Sequence, residues 1–378
     1  MIDLIIKHYD RKLLMYLSLL SIIGTIMLYS ASWYESFIST NGNTEMLFFK
    51  NHLKRLFIGM VFLVGFLLFD YRILKQIAPY LIIFSVFLLV LTKSIYLING
   101  QSWYKPARWL SIGSFGFQTS DIARFSILIY MAYYVDKQRD KIQSFQNGLL
   151  PALVILFLVM SLIIIQPDYS TAIMIGFLGI LILFIGGAKI SQILLTCSAA
   201  LLIGIPVLLS RAYRKERVLS FFGIGDNPDV GYQAHQSLIS LGNGGLLGTG
   251  LGNSIEKNHF LPTPHTDFIF AIIGEELGFL IGTVPVLTLF LLIFFQGIKI
   301  AKNCNDPFGV FLSIGIVSNL ILYAFVNAAV VTGLLPVTGL PMPMISYGGS
   351  GMIINMSLIG ILLNISQAKR TVGDNRWS

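Results

Sequence analysis

Long apolar runs follow one another along almost the whole chain, and short polar segments separate them. About ten of these runs come near the roughly 20 residues that a helix needs to cross a bilayer. They cover residues 13–32, 56–74, 77–97, 120–135, 148–165, 170–187, 190–210, 268–298, 308–335 and 351–365. The pattern therefore predicts an all-α polytopic membrane protein with about ten transmembrane helices.

The composition supports this class. Hydrophobic residues make up 55% of the 378 residues and charged residues only 12%, whereas a soluble domain has roughly 25% charged residues. The first apolar run is too long for a removed signal peptide and lacks a clear cleavage site, so we expect it to remain as the first helix. We find no internal repeat, and we interpret residues 1–378 as a single integral membrane domain.

The basic residues predict an orientation. A basic N-terminal segment, residues 1–12, and a basic tail, residues 366–378, are both expected in the cytoplasm under the positive-inside rule. The rule places the following cations on that side: Lys7, Arg11, Lys12, Arg72, Lys75, Lys137, Arg139, Lys141, Lys189, Lys299, Lys302, Lys369, Arg370 and Arg376. A second basic group, Arg211, Arg214, Lys215, Arg217 and Lys257, falls in a long extracytoplasmic loop, residues 211–266, between helices 7 and 8. The rule tolerates these cations on the outer side, because long loops are translocated across the membrane largely regardless of their charge.

Three segments rich in Gly, Pro or polar residues fall on the predicted outer side: 99–119, 211–266 and 336–350. We expect them to be largely non-helical. Irregular backbone is not tolerated against lipid, so it must be buried in protein, line a wet cavity or lie at the interface. An outward-facing cavity is the expected result. The basic surplus there, within a net charge of +8, fits an anion site, a solvated loop or contact with anionic lipid.

Other kinds of site find little support. Cys197 and Cys304 fall in a helix and in a predicted cytoplasmic loop, so we expect no disulfide. The five histidines show no metal-ligand spacing, and the glycine pairs near 244–250 do not lie between a strand and a helix, as a nucleotide site would require. We expect no nucleic-acid partner.

Several polar residues have two interpretations each. Asp267 stands at the start of an apolar run; it or Thr266 caps a helix, or Asp267 does chemistry, and the two roles do not exclude each other. Asp121 and Arg124, spaced i and i+3, form a structural ion pair or line the cavity. Asp168 caps the sixth helix or lines the cavity, and Trp109 is an interfacial anchor or a stacking surface for sugar or lipid.

Six runs of residues closely resemble one family. They cover residues 107–110, 117–124, 166–168, 260–262 with 265–268, 274–278 and 333–349, in the family's order over roughly residues 100–365. The family is SEDS, the RodA and FtsW proteins of shape, elongation, division and sporulation. Residues 260–268 and 331–341 are slightly closer to the FtsW branch. The chain departs from the family pattern at Thr119, Asp121, Ile122 and Arg124, where the charge signs are kept, and at Thr263, where an acid is common.

The resemblance implies a peptidoglycan glycosyltransferase of the bacterial cytoplasmic membrane. Such an enzyme polymerises lipid II, a disaccharide-pentapeptide on undecaprenyl pyrophosphate, on the outer face. Its expected partners are a class B penicillin-binding protein, which crosslinks the strand, other divisome or elongasome membrane proteins, and the bilayer itself. The family's essential acid matches Asp267, and the aromatic residue of its Arg-Trp pair matches Trp109.

Glycosyl transfer needs a base for the acceptor hydroxyl and positive charge near the leaving pyrophosphate. We assign Asp267 as the base and Arg108, Arg217 and Lys257, in that order, as cations; a divalent cation is an alternative source of charge, and no other cofactor is expected. The remaining candidates for substrate binding are His265, Asp121, Arg124, Asp168, Ser346, Tyr347 and Ser350, the last three on a re-entrant wall of the cavity.

Two other functions remain open at this point. A lipid II flippase would need a polar path to both faces of the membrane, whereas the polar segments here cluster on one side. A non-catalytic scaffold of the cell-wall complex would have no use for Asp267. We interpret the pair Glu275 and Glu276, deeper in the eighth helix, as structural.

Overall fold

The computed structural model describes residues 9–101, 107–112, 115–224, 228–258 and 260–368. Most of this chain is helical. The helices are α1 Arg11–Ser39, α2 Leu47–Leu68, α3 Tyr71–Ile98, α4 Thr119–Lys137, α5 Leu150–Ile165, α6 Tyr169–Ile185, α7 Ile190–Leu209, α8 Ala212–Phe221, α9 Pro228–Gly244, α10 Ile269–Gly278, α11 Val284–Lys302, α12 Pro307–Val331 and α13 Ser350–Ala368. Single π-helical turns, Phe145–Leu149 and Phe279–Thr283, precede α5 and α11.

The prediction of a polytopic membrane protein is confirmed. Eight stretches of helix in the described part of the chain are long and apolar enough to cross a membrane, and Ile269–Lys302, through its π turn, is one of them. Two other predicted spans are less typical, since α6 has only 17 residues and α4 carries Asp121, Arg124, Asp136 and Lys137. The count of about ten therefore stays a prediction.

The predicted boundary between the second and third helices is wrong. The apolar pattern extends the second helix to residue 74, but α2 ends at Leu68 and α3 begins at Tyr71. The cause is Asp70, whose carboxylate accepts a hydrogen bond from the Arg72 amide at 2.9 Å and so caps α3. Asp10 caps α1 in the same way, through the Leu13 amide at 3.0 Å.

The segment expected as a long non-helical loop, residues 211–266, contains α8 and α9, so that expectation is wrong. Among the described residues of this segment, 211, 222–224, 245–258 and 260–266 lie outside both helices, and the longest of these stretches is formed by residues 245–258. They fold back on α10, where the Thr249 and Gly250 amides donate to the carbonyls of Glu275 and Glu276. At Gly248, with φ +83°, a Cβ would come within 2.3 Å of the Glu276 carbonyl oxygen. Glycine is therefore required for this close approach.

The segment 99–119 contributes a short antiparallel hairpin, β1 Trp109–Ile112 and β2 Phe115–Gln118, with Trp109 opposite Gln118. It leads directly into α4. The Thr119 amide donates to the Arg108 carbonyl and joins the base of the hairpin to the helix. Segments 102–106 and 113–114 lie outside the described residues.

Several contacts define one end of the helical bundle. The Asp10 amide donates to Ser366 Oγ at 3.1 Å, Lys75 forms an ion pair with Asp136, and the Tyr71 hydroxyl lies 3.9 Å from Cys304 Sγ. The cations Arg72, Lys75, Lys137, Lys299 and Lys302 therefore share this end, as the charge pattern predicts. Four cations assigned to the same side, Lys7, Lys369, Arg370 and Arg376, lie outside the described residues.

Candidate functional site

The segment between α12 and α13, of which residues 336–349 form the larger part, crosses the other end of the bundle without regular secondary structure. Proline at 341 and 343 removes backbone donors, and Gly339 has φ +71°. Ser346 holds the turn from inside, because its buried hydroxyl accepts a hydrogen bond from the Met342 amide at 2.8 Å. Ser346 thus has a local structural role, while the segment as a whole forms a non-helical wall.

Asp267 lies beside this wall, just before α10. The residue at the cap position of α10 is Phe268, and no side chain caps the helix. The expectation that Thr266 or Asp267 caps the helix is therefore wrong. Instead the Thr266 hydroxyl donates to Asp267 Oδ1 at 2.7 Å. In the described part of the chain Oδ2 accepts no hydrogen bond, and it faces Gly339, where a Cβ would lie 3.7 Å away.

Asn327 on α12 fixes the backbone at this point. Its Nδ2 donates to the Asp267 carbonyl at 2.6 Å and to the Leu340 carbonyl at 2.8 Å. One amide therefore ties the start of α10 to the wall segment. The sequence does not indicate this role for Asn327, because a single polar residue inside an apolar run gives no indication of which backbone groups it contacts.

Burial raises the pKa of the Asp267 carboxyl above its ordinary value. The Thr266 hydroxyl, the residue's own backbone amide and the charge of Arg217 oppose this shift. Arg217, on α8, also donates to the Val337 carbonyl at 3.2 Å. Arg217 therefore lies close to both Asp267 and the wall segment.

His265 contacts the wall segment at Tyr347. The Tyr347 amide donates to the His265 carbonyl at 2.8 Å, and Phe48 on α2 packs against both rings. Burial lowers the pKa of His265 to about 4, so the ring is neutral near pH 7. The Arg55 guanidinium lies 4.6 Å from the Tyr347 ring centroid and donates to the Gly348 carbonyl.

Arg55 is a cation that sequence analysis missed. It falls just before the predicted start of the second helix, and α2 in fact begins nine residues earlier, at Leu47. The longer helix carries Phe48 and Arg55 on one face, about two turns apart. Only the contact with residues 347 and 348 shows that this face meets the wall segment.

Asp168 precedes α6 at the cap position but makes no capping bond. Its buried carboxylate accepts hydrogen bonds from Gln118 Nε2 at 2.8 Å and from the Ser120 hydroxyl at 2.9 Å. Arg108 lies 3.9 Å from the same carboxylate and donates to the Pro167 carbonyl. The hairpin, α4 and the α5–α6 connection thus meet at Asp168, and the Arg108 guanidinium remains partly exposed.

Asp121 and Arg124 form the ion pair expected from their spacing, with 3.1 Å between Oδ1 and a guanidinium nitrogen. Ser350 at the start of α13 donates to Asp121 at 2.7 Å. Arg124 is buried and lies 4.5 Å from the centroid of the Tyr323 ring. These contacts match the structural interpretation of the pair.

Trp109 in β1 is 44% exposed. One part of its ring packs on Gly349, where a Cβ would come within 3.1 Å of the ring. Glycine at 349 therefore lets the hairpin lie on the wall segment. The exposed part of the indole is available for contact with sugar or lipid.

Lys257 lies away from this group. Its ammonium forms a fully buried ion pair with Glu276 at 2.6 Å and also donates to Ser30 Oγ and to the Gly252 carbonyl. All three donors of the ammonium are thus used inside the protein. This geometry contradicts the assignment of Lys257 as a ligand of the pyrophosphate, and we correct it to a structural role.

Glu275 has the structural role expected for it. Its buried carboxylate accepts from Ser240, Ser254 and the Ile255 amide. With Glu276 it holds residues 252–256 against α10. Within the described residues, no group of three His, Cys, Asp or Glu side chains is arranged to hold a metal ion.

The sequence matches the FtsW/RodA/SpoVE family of cell cycle proteins over residues 10–371. It is 38% identical over 368 residues to a probable peptidoglycan glycosyltransferase FtsW of Geobacter sulfurreducens, covering 96% of each chain. It is also 35% identical over 364 residues to the stage V sporulation protein E of Bacillus subtilis, covering 96% of this chain and 98% of that protein.

Two solved structures share the fold. One belongs to a peptidoglycan synthase complex that coordinates polymerization and crosslinking; its TM-score is 0.76 at 23% identity, with 96% of this chain and 98% of that chain covered. The other is the rod shape determining protein RodA of Thermus thermophilus, with a TM-score of 0.68 at 22% identity and 96% and 97% coverage. The sequence match along nearly the whole chain and the shared fold lead to one conclusion: this chain belongs to the FtsW/RodA/SpoVE family.

Proposed function

We propose that this protein is a peptidoglycan glycosyltransferase that polymerises lipid II, with Asp267 as the general base. The observation that carries the proposal is the state of the Asp267 carboxylate. Asp267 stands at the start of α10 without capping it, and Oδ2 faces the wall segment. The Asp267 carboxylate does not cap a helix. Asn327 fixes its backbone and the Thr266 hydroxyl binds Oδ1, so Oδ2 is left to accept a proton.

The reaction joins an acceptor hydroxyl to the anomeric carbon of the donor sugar. As the new C–O bond forms, the bond from that carbon to the pyrophosphate breaks, and the pyrophosphate leaves with the electron pair. Asp267 takes the hydroxyl proton. The raised pKa of this buried carboxyl makes it a stronger base than an exposed aspartate.

The leaving pyrophosphate needs positive charge around it. Arg217 donates to the Val337 carbonyl of the wall segment and lies close enough to Asp267 to lower the pKa of its carboxyl. Arg108 is partly exposed at the hairpin, and Arg55 lies at residues 347 and 348. We propose these three arginines as the cations, with a divalent metal ion as an alternative source of charge.

We further propose that the end of the bundle with Asp267 faces the outside and that both termini lie in the cytoplasm of a bacterium. The positive-inside rule favours this orientation, since the opposite end gathers Arg72, Lys75, Lys137, Lys299 and Lys302. The relatives named FtsW favour a role in cell division. A class B penicillin-binding protein is the proposed partner, because a solved structure of this fold comes from a complex that couples polymerization with crosslinking.

The test uses the purified full chain in detergent with fluorescent lipid II, and glycan polymer is separated on a gel. We expect Asp267→Asn to slow polymerisation about 10²- to 10⁴-fold, the usual contribution of a positioned base. Asp140→Asn, an exposed carboxylate in the connection after α4, is the matched control and should polymerise normally. Undiminished polymerisation by Asp267→Asn would refute the assignment.

The same preparation separates the two other functions. Translocation of lipid II across vesicles without any polymer from the wild type would favour a flippase. If the wild type neither polymerises nor translocates lipid II, the result would favour the non-catalytic scaffold. Either result would overturn the proposed function.

A further inference from the structure

A cleft of about 630 Å³ opens at the end of the bundle opposite Asp267. It is lined by Arg72, Lys75, Gln76, Tyr133 and Asp306. Its volume falls within the roughly 300–1,000 Å³ that is typical of sites for small molecules. The proposed glycosyl transfer uses none of these residues, so a ligand of this cleft would be distinct from the substrate at Asp267.

The cleft presents charges of both signs. The Lys75 ammonium is already paired with Asp136, beside the cleft. Arg72 is exposed at the start of α3, and Asp306 precedes α12 without capping it; both side chains interact with the Tyr71 hydroxyl and with each other. The cleft therefore offers a guanidinium and a carboxylate to one ligand. A group that carries both an anion and a cation would complement it.

An apolar surface continues from the cleft along α3. Gln76 lines the cleft, and Tyr80, Ile83 and Phe87 follow it at helical spacing on the same face. These three side chains are 71%, 66% and 57% exposed. From Gln76 to Phe87 the stripe runs about 16 Å at about 1.5 Å per residue, from the end of the bundle toward its middle. A ligand of the cleft can thus extend a long apolar part along α3.

We propose that this cleft binds one phospholipid of the adjacent leaflet, with a head group that carries a phosphate and a primary amine. The phosphate binds Arg72, the ammonium binds Asp306, and the acyl chains lie on the Tyr80–Ile83–Phe87 face. A phosphate pairs well with a planar guanidinium. The apolar stripe favours a lipid over a soluble peptide, since a peptide would leave those side chains uncovered.

The experiment measures lipid binding to the purified full chain by native mass spectrometry in detergent. The probes are phosphatidylethanolamine, phosphatidylglycerol and phosphatidylcholine with identical acyl chains. We expect tightest binding of phosphatidylethanolamine. Phosphatidylcholine should bind less tightly because its quaternary ammonium cannot donate a hydrogen bond to Asp306, and phosphatidylglycerol because it has no cation at all.

Three variants test the contacts. Arg72→Gln should weaken phosphatidylethanolamine about tenfold, the usual effect of losing a hydrogen bond to a charged group. Asp306→Asn should remove the preference over phosphatidylcholine. Gln76→Glu, at an exposed position of the cleft, should weaken binding by repelling the phosphate and is expected to fold normally.

Gln143→Glu and Lys189→Gln are matched controls, since both positions are exposed near the same end but do not line the cleft. Thermal melting verifies that each variant is folded. The proposal is overturned if the three lipids bind equally, or if the cleft variants bind like the controls. The proposal would also be overturned if a soluble zwitterionic peptide displaced the lipid and if the lipid bound equally well without its acyl chains.

Discussion

Replacement of Lys257 by methionine tests whether this residue is structural or a ligand of the substrate. The ammonium is 1% exposed and its partner carboxylate, Glu276, is fully buried, at 2.6 Å. Lys257→Met keeps the side chain out to Cε but removes the charged ammonium. Glu276 is then left buried with two donors, the Ser30 hydroxyl and the Gly252 amide.

The cost follows from this geometry. Removing one partner of a buried ion pair usually destabilises a protein by about 3–5 kcal/mol. Because two donors to Glu276 remain, we expect the lower value, about 3 kcal/mol. The loss should fall on residues 249–256, where the amides of Thr249, Gly250, Gly252 and Ile255 donate to the carbonyls and carboxylates of Glu275 and Glu276. Since about 1.4 kcal/mol is a factor of ten, these amides should exchange about 10²-fold faster.

Hydrogen exchange with mass spectrometry of peptides from residues 245–258 measures this change, and the same protein is assayed for polymerisation. We expect faster exchange together with slower polymerisation, because the segment leads directly to Asp267. The double variant Lys257→Met with Glu276→Leu should recover much of the slow exchange and of the polymerisation rate, since an apolar pair can replace a buried ion pair at little cost.

A ligand role for Lys257 would give a different result. Lys257→Met would then raise the KM for lipid II with unchanged exchange in residues 245–258, and the second substitution would rescue nothing. That outcome would refute the structural assignment. Recovery of both properties by the double variant would support it.

Two further predictions concern Asp267. Arg217 lowers the pKa of the buried Asp267 carboxyl, so Arg217→Gln should raise that pKa. Because the base must be ionised to act, the acid limb of the pH–rate profile should then move to higher pH. Arg214→Gln, on the same helix, is the control, and a limb that stays in place would contradict the electrostatic coupling. Asn327→Ala leaves the carbonyls of residues 267 and 340 without their donor, so we expect a loss of about 1–3 kcal/mol in stability and a lower kcat. Asn319→Ala, which removes a buried amide that makes no hydrogen bond among the described residues, should cost less in thermal melting; an equal loss in both variants would exclude a specific role for Asn327.

The sequence alone predicts the membrane class and most of the helices. A bilayer core admits long apolar helices and few alternatives, so apolar runs are reliable indicators of spans. The pattern fails where local chemistry overrides hydropathy. At Asp70 a capping carboxylate begins a new helix inside an apolar region. In residues 211–266, α8 and α9 are too polar for a hydropathy pattern to detect.

For the candidate site, too, the sequence predicts the local features but not the contacts between distant segments. The family resemblance matches Asp267 and Trp109 to motif residues, and the i,i+3 spacing correctly indicates the ion pair of Asp121 with Arg124. These are local features, or features that a family resemblance supplies. No sequence feature distinguishes Lys257 from Arg217, because both are cations in the same basic segment.

By itself, then, the sequence determined that this chain spans a membrane many times and that a carboxylate stands at the entrance to one span. Only the tertiary structure decided which polar groups meet. It pairs Lys257 with Glu276 inside the protein and places Arg217 near Asp267. It also brings Arg55 to the wall segment from a position 293 residues away in the chain. The physical reason is that hydropathy depends on each residue and its close neighbours, whereas the partner of a charge depends on how distant segments pack.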